Sequence, residues 1–261
     1  MTQGLTADQI AAFAEDGFAK VESAFPADVA AQCEALLWEQ IAAERNDAAT
    51  WTEPVYWVPG LGGEVIDRAA KTVTLHAAFD QLLGPGRWLP RVGLGAFPLR
   101  FPHKTEPDDA GWHIDGSYLP AGGASWPYTN VHSRDRALLM LFLFTDVDED
   151  NAPTRIRVGS HLDVPAVLKP YGEAGIDGLT LGPLVDQASA DRPLAYATGK
   201  PGDVYLCHPF LVHAAQPHHG TRPRFMAQPP LSPREQITLD RADGAYSVVE
   251  RTIRRGLGLP D

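Results

Sequence analysis

The sequence predicts a mainly β protein of the sandwich, barrel or jelly-roll class, with helices in its first fifty residues. Three observations point there. From about Trp51 onward the chain breaks into short apolar or alternating runs separated by turn residues, and it carries 24 Gly and 23 Pro in 261 residues, as expected when many short strands alternate with turns. Helical spacing of apolar residues is concentrated before that point. No internal repeat, low-complexity tract or Gly/Ser/Pro linker divides the chain, so a single domain over residues 1–261 is expected, helical at 1–50 and β-rich at 51–261.

The elements follow in order. Thr6-Ala7-Asp8-Gln9 fits a capping box, Ile10, Phe13 and Ala14 then recur at helical spacing, and Gly17 is a natural stop. A second helix is expected from Pro26, carrying Val29, Cys33, Leu36, Leu37 and Ile41 on one stripe until Glu44. Strands are expected at Val55 to Val58, Trp88 to Phe97, Trp112 to Ile114, Ala137 to Thr145, Thr154 to Val158, Ala195 to Thr198, Asp203 to Cys207, Leu211 to Ala214 and Arg224 to Gln228. Further helical turns are expected near Lys71 to Leu83 and at Val164 to Leu168. The long Gly-rich stretch at 116–136 reads as a lid loop.

Composition narrows the function. Apolar residues make up 44% and charged residues 21%, enough to bury a core without staples. The net charge of -11 would repel a polyanion, so no nucleic-acid partner is expected. The longest apolar run, Ala137 to Phe144, is far short of the ~20 residues that span a bilayer, so no membrane partner is expected. Cys33 and Cys207 stand far apart with no second Cys near either, which suits a reducing cytoplasm. A small-molecule substrate and a monomer or homodimer are the expectation.

Metal chemistry is the strongest local signal. His113 and Asp115 are two apart, so on an extended strand both side chains project from one face and can grip one ion. His161 and Asp163 match the same pattern, so the motif alone decides nothing. Downstream, Pro201-Gly202 launches a strand ending at His213, and a polar turn leads to Arg224. Were the two strands a hairpin, Arg224 would lie beside His213, a rigid fork of donors next to an imidazole. His218 and His219, in the turn, are expected to be solvated, and His208 to be a structural hydrogen-bonder.

The order His113-x-Asp115, then His213, then Arg224 eleven residues later resembles the phytanoyl-CoA dioxygenase (PhyH) family of Fe(II) and 2-oxoglutarate dependent oxygenases. Asp146 to His161, with its Gly159-Ser160-His161 end, and the opening Phe13 to Phe18, with its Asp16-Gly17-Phe18 turn, are similar to the family's other blocks. The resemblance implies a double-stranded β-helix (a cupin-like jelly roll) with N-terminal helices packed on one sheet. It further implies iron held by His113, Asp115 and His213, with 2-oxoglutarate chelating the iron and its far carboxylate paired to Arg224. O2 would then be consumed, 2-oxoglutarate would leave as succinate and carbon dioxide, and a small molecule would be hydroxylated or otherwise oxidised. In halogenating relatives the Asp115 position is a small residue, so an intact carboxylate favours oxidation over halogenation.

Arg100 is a second candidate for the co-substrate or substrate, and Leu141 for an apolar wall of the cofactor pocket. Tyr118, Trp126, Tyr128, Asn130 and Arg136, on the lid loop, are the candidate substrate residues. Three departures stand out: Ala215 replaces a common hydroxyl residue two after the distal His, Ile114 a polar residue, and Val158 a proline. The alternatives are a cupin-like metal enzyme that uses no 2-oxoglutarate and a non-catalytic jelly roll that binds small molecules.

Overall fold

The computed structural model describes residues 4–260. In chain order the elements are α1 (Ala7–Asp16), β1 (Phe18–Val21), α2 (Ala27–Trp38), β2 (Val55–Val58), α3 (Glu64–Ala70), α4 (Val73–Leu83), β3 (Phe97–Arg100), β4 (Tyr128–Thr129) and β5 (Leu138–Leu143). There follow β6 (Arg155–Arg157), α5 (Val164–Leu168), β7 (Ile176–Asp177), α6 (Gly178–Ala188), β8 (Leu194–Tyr196), β9 (Val204–Cys207), β10 (His213–Ala214), β11 (Met226–Ala227), β12 (Pro230–Leu231) and α7 (Val248–Gly256).

Two facing sheets make a jelly roll. The larger runs β1-β9-β5-β11, with β12 also on β5, and an Arg100–Arg224 bridge joins β3 and β2 to its β11 side. The smaller runs β10-β6-β8 and is extended by a His113–His213 bridge. β5 explains the layering. Its six residues are all buried, because alternate side chains serve two cores. Leu139, Leu141 and Leu143 join Tyr205, Cys207, Met226 and Ile156 between the sheets. Leu138, Met140 and Phe142 join the helices in a core that extends from Leu5 to Ile253. Each such buried side chain contributes roughly 1.5–3 kcal/mol.

The first helix forms as its capping box dictates: the Thr6 hydroxyl and the Gln9 side chain satisfy each other's backbone donors, and Gly17 ends the helix at φ 88°. The tightness of that turn also requires glycine, since a Cβ there would lie 2.6 Å from His161 Nδ1.

Several expectations are corrected. The run Trp88 to Phe97 is not a strand: only a bridge at Trp88 and the later Phe97–Arg100 are extended pairs. Trp112 to Ile114 contributes a single bridge at His113. The second helix stops at Trp38, short of Glu44. β1 lies within the segment expected to be helical, zipped to β9 from Phe18↔Cys207 to Val21↔Val204. α3, α6 and α7 are additional; α7 opens on a capping box of Ser247 and Glu250 that the sequence displays. The two segments joined by the 216–223 turn are not a hairpin either. β10 pairs with β6 and β11 with β5, so His213 and Arg224 sit on opposite sheets.

Candidate metal centre and its surroundings

Opposite residues of an antiparallel bridge project to the same face. His213 lies opposite Ile156, an interior residue, and His113 lies opposite His213, so both imidazoles point between the sheets. Their backbones are held by His113 N–H to His213 O at 3.0 Å and the reverse at 2.9 Å. Each ring is then fixed by its own chain. His113 Nδ1 donates to Gly111 O at 2.8 Å and His213 Nδ1 to Leu211 O at 3.0 Å. A carbonyl only accepts, so Nδ1 carries the proton in both rings and each Nε2 presents a lone pair.

Those lone pairs meet a carboxylate. Asp115 Oδ1 lies 3.7 Å from His113 Nε2 and 3.8 Å from His213 Nε2, and one ligand atom from each residue fits within 4.8 Å of the others. Asp115 Oδ2 is occupied by Arg136 Nη1 at 3.1 Å. Burial raises the Asp115 carboxyl, but Arg136, His213 and His113 outweigh it and hold the group below its ordinary range. Burial, reinforced by His113, lowers His213 to about 4, so it is neutral at pH 7. His113 and Asp115 retain 37% and 27% of their side-chain surface, which leaves the point between the three groups reachable. Two imidazole Nε2 atoms and one carboxylate oxygen facing a common point suit a cation with open coordination sites.

A second cluster lies on the larger sheet. Phe225 faces the helices and Met226 the interior, so Arg224 faces the interior, and Arg100 lies directly opposite it. Like charges so placed repel. Arg224 is 1% exposed; its Nη1 donates to Ala152 O at 2.8 Å and its Nη2 to Pro98 O at 3.3 Å. Arg100 Nη2 pairs with Asp109 Oδ2 at 2.5 Å. Burial, and then Arg100, pull the Arg224 pKa well down, with Asp109 opposing. Arg224 Nε, Arg100 Nε and Nη1, and Asp109 Oδ1 are buried without partners. Asp109 pairs with Arg100 alone, so Arg224 has two backbone carbonyls and no carboxylate as partners.

The remaining expected residues are placed as follows. Leu141 is fully buried on the inner face, opposite Tyr205. Tyr118 is buried and its hydroxyl donates to Ala174 O at 2.6 Å. Asn130 is buried, donating to Glu173 O at 3.2 Å and accepting from His132 N at 3.1 Å. The Tyr118 hydroxyl and the Asn130 amide nitrogen thereby pin 116–136 to the segment around residue 174. Tyr128 pairs through its backbone with Tyr118, and Trp126 is half exposed near the tip. Arg136, the last of the expected substrate residues, grips Asp115 Oδ2 and the Gly116 carbonyl. His218, expected to be solvated, is a correction: it is buried, its Nε2 donates to Arg222 O at 2.8 Å, and burial lowers it to about 4. Asp109 and Ala152 were missed by the sequence reading. Ala152 had one signal, its place before Pro153 at a turn, and it sits at φ 51°.

The family model for phytanoyl-CoA dioxygenase (PhyH) matches residues 13–226. The chain belongs to the phytanoyl-CoA dioxygenase family. Solved structures agree on the fold. The non-heme alpha ketoglutarate dependent epimerase SnoN from nogalamycin biosynthesis matches at TM-score 0.59 and 19% identity, over 85% of this chain and 80% of that one. EctD from S. alaskensis, solved with 2-oxoglutarate and 5-hydroxyectoine, matches at 0.58 and 20%, over 89% and 78%. HygX from Streptomyces hygroscopicus, with nickel, 2-oxoglutarate and hygromycin B bound, matches at 0.53 and 17%, over 88% of each chain. No curated protein sequence matches. Among the described residues, no helix of this family member is long and apolar enough to cross a membrane.

Proposed function

We propose that this protein is an Fe(II)- and 2-oxoglutarate-dependent dioxygenase that uses O2 to oxidise a small molecule, most simply by hydroxylation. The observation that carries the reading is the convergence of His113 Nε2, His213 Nε2 and Asp115 Oδ1 on one point, with both Nδ1 atoms committed to carbonyls. Ferrous iron would supply the redox chemistry there. His113, Asp115 and His213 would hold it on one side and leave the opposite positions open.

The arginine cluster supports the co-substrate. A dicarboxylate whose far carboxylate reached Arg224 would complete two guanidiniums with two carboxylates, the second being Asp109, and give the unpartnered nitrogens an acceptor. Leu141 and its neighbours would form the apolar wall. The bound 2-oxoglutarate of the EctD and HygX structures accords with this. SnoN is an epimerase and SnoK a carbocyclase, so the fold carries more than one oxidative outcome, and product analysis must decide between them.

The test is anaerobic loading with Fe(II) and 2-oxoglutarate followed by oxygen. Succinate should form, slowly without substrate and faster with it. His213→Ala should lose iron by more than the ~10–100-fold that outer-shell changes cost. Absence of both iron uptake and succinate in the unaltered protein would remove the proposal, and full activity in His213→Ala would remove the ligand assignment. Iron uptake with turnover independent of 2-oxoglutarate would favour a cupin-like metal enzyme instead.

A further inference from the structure

We propose that Arg136 is the positioning residue of the metal centre: it fixes Asp115 as a one-oxygen ligand and ties that ligand to the root of the 116–136 segment. The inference rests on the metal reading of the triad given above. The guanidinium is divided between two tasks. Nη1 donates to Asp115 Oδ2 at 3.1 Å, while Nε and Nη2 donate to the Gly116 carbonyl at 3.3 and 3.1 Å. Residues 116 and 136 are the two ends of the segment. One side chain therefore closes the segment at its base and holds the carboxylate next to it.

Within the segment the chain doubles back as a short hairpin. The Ser117 and Tyr118 N–H groups donate to Tyr128 O at 2.8 and 3.1 Å, and Tyr128 N–H returns to Tyr118 O at 2.7 Å. The Thr129 hydroxyl reaches the Asp115 carbonyl at 3.4 Å. Leu119 and Trp126, in the tip at 119–127, are exposed. The hairpin root, the guanidinium and the ligand carboxylate thus form one continuous hydrogen-bonded unit.

A carboxylate free to turn offers a cation either one oxygen or both. With Oδ2 committed to a charged donor, only Oδ1 is left for the ion, and it is the oxygen nearest both histidines. Arginine suits this because its planar fork serves two acceptors at once, which a lysine ammonium on a flexible stem does less well. Linkage then makes the effect mutual. If hairpin closure steadies Asp115 for the metal, the metal must steady the hairpin by the same factor.

Cobalt(II) binding to the full chain tests this without reference to turnover. Arg136→Met should bind Co(II) about 10–100-fold more weakly than the unaltered protein, and its visible d–d bands should change as Asp115 offers both oxygens. Arg136→Lys, which keeps the charge and one donor but lacks the fork on Gly116, should restore the original bands and recover only part of the affinity, the remainder being the coupling to the hairpin. Limited proteolysis gives a second readout. Co(II) should slow cleavage at 119–127 in the unaltered protein and leave the rate unchanged in Arg136→Met. Equal affinity and spectrum in Arg136→Met, or persisting Co(II) protection of the tip, would overturn the proposal. Should that variant fail to fold, Arg136→Lys decides: it lacks the fork on Gly116, so it should lose the Co(II) protection of the tip, and retained protection would overturn the proposal. An unaltered protein that takes up no Co(II) would bring down the metal reading itself, an outcome distinct from a variant that matches it.

Discussion

At the histidine cluster each ring has one nitrogen on a carbonyl and the other on the shared point, and the second oxygen of Asp115 rests on Arg136. At the arginine cluster four buried polar atoms have no partner, and two positive side chains lie directly opposite each other. The first is organised by the protein alone; the second leaves Arg224 without a carboxylate partner. Preorganisation suits a metal site, where ligand geometry sets affinity. An unsatisfied buried charge suits a co-substrate site, where the missing partner is itself the means of recognition.

Unequal consequences of substitution at the two arginines would break or sustain that contrast. Arg100→Met leaves the half-buried Asp109, which keeps 32% of its side-chain surface, without its cation, and breaking such a pair costs about 1–3 kcal/mol. Arg224→Met removes the guanidinium that no carboxylate partners, so the ligand-free protein should melt within about 1 kcal/mol of the unaltered one, or above it. The same variant should lose its response to 2-oxoglutarate. At a hundred times its dissociation constant the ligand should stabilise the unaltered protein by about 2.7 kcal/mol, roughly 5–10 °C in a chain of this length. Thermal melts with and without 2-oxoglutarate read both effects; a loss of stability in Arg224→Met equal to that in Arg100→Met would erase the distinction.

The same contrast explains what the sequence disclosed. His113, Asp115, His213 and Arg224 were singled out through the family resemblance, whose order and spacing survive without coordinates; the local pattern alone did not separate them from His161 and Asp163. β5 was legible for a local reason: a strand buried on both faces is a continuous apolar run. Arg136 was not. Its loop suggested a substrate contact, yet a flexible side chain twenty residues from Gly116 goes wherever acceptors are gathered, and only folding gathers them. Asp109 was hidden likewise, in a loop without periodicity. The pairing of β10 with β6 and β11 with β5 was lost because a polar turn between two strands reads equally as a hairpin or as a crossover between sheets. α7 was the avoidable omission, since Ser247-Val248-Val249-Glu250 is a capping box.

Another place with unpartnered buried atoms sharpens the comparison by acting as its control. His161 and His208 pack with ring centroids 4.8 Å apart. His161 Nε2 donates to Ala14 O, which leaves Nδ1 an acceptor, and His208 Nδ1 accepts from Phe210 N, which leaves Nε2–H a donor. The two unpartnered atoms are complementary, so this pair needs no anion and should not respond to 2-oxoglutarate. It should respond to acid. Burial lowers His161 from 6.5 to about 4, against the pull of the Ala14 carbonyl. A depressed pKa means the unfolded chain takes up the proton first. Stability is therefore fully present above pH 6.5 and falls as the pH drops toward 4, by up to about 3 kcal/mol from this residue. His161→Gln should flatten the fall of unfolding free energy between those values; an unchanged slope would assign the acid sensitivity to other groups.

The smallest effect is expected at Ala152, where the arginine cluster meets the backbone. This residue holds φ 51°, left-handed space that an alanine enters at roughly 1–2 kcal/mol, and the carbonyl so aimed accepts from Arg224 Nη1 at 2.8 Å. Glycine occupies the same conformation without the Cβ clash but brings a more flexible unfolded chain, which returns roughly 0.4–1 kcal/mol of the gain. Ala152→Gly should therefore stabilise the fold by about 0.5 kcal/mol, one or two degrees in the melting temperature. Its effect on 2-oxoglutarate is the more informative readout. If the strained turn merely accommodates the chain, the dissociation constant stays the same. If it serves to hold the guanidinium in place for the incoming carboxylate, the looser turn should weaken binding about two- to threefold while the protein itself becomes more stable, a pairing of opposite signs that only a positioning role produces.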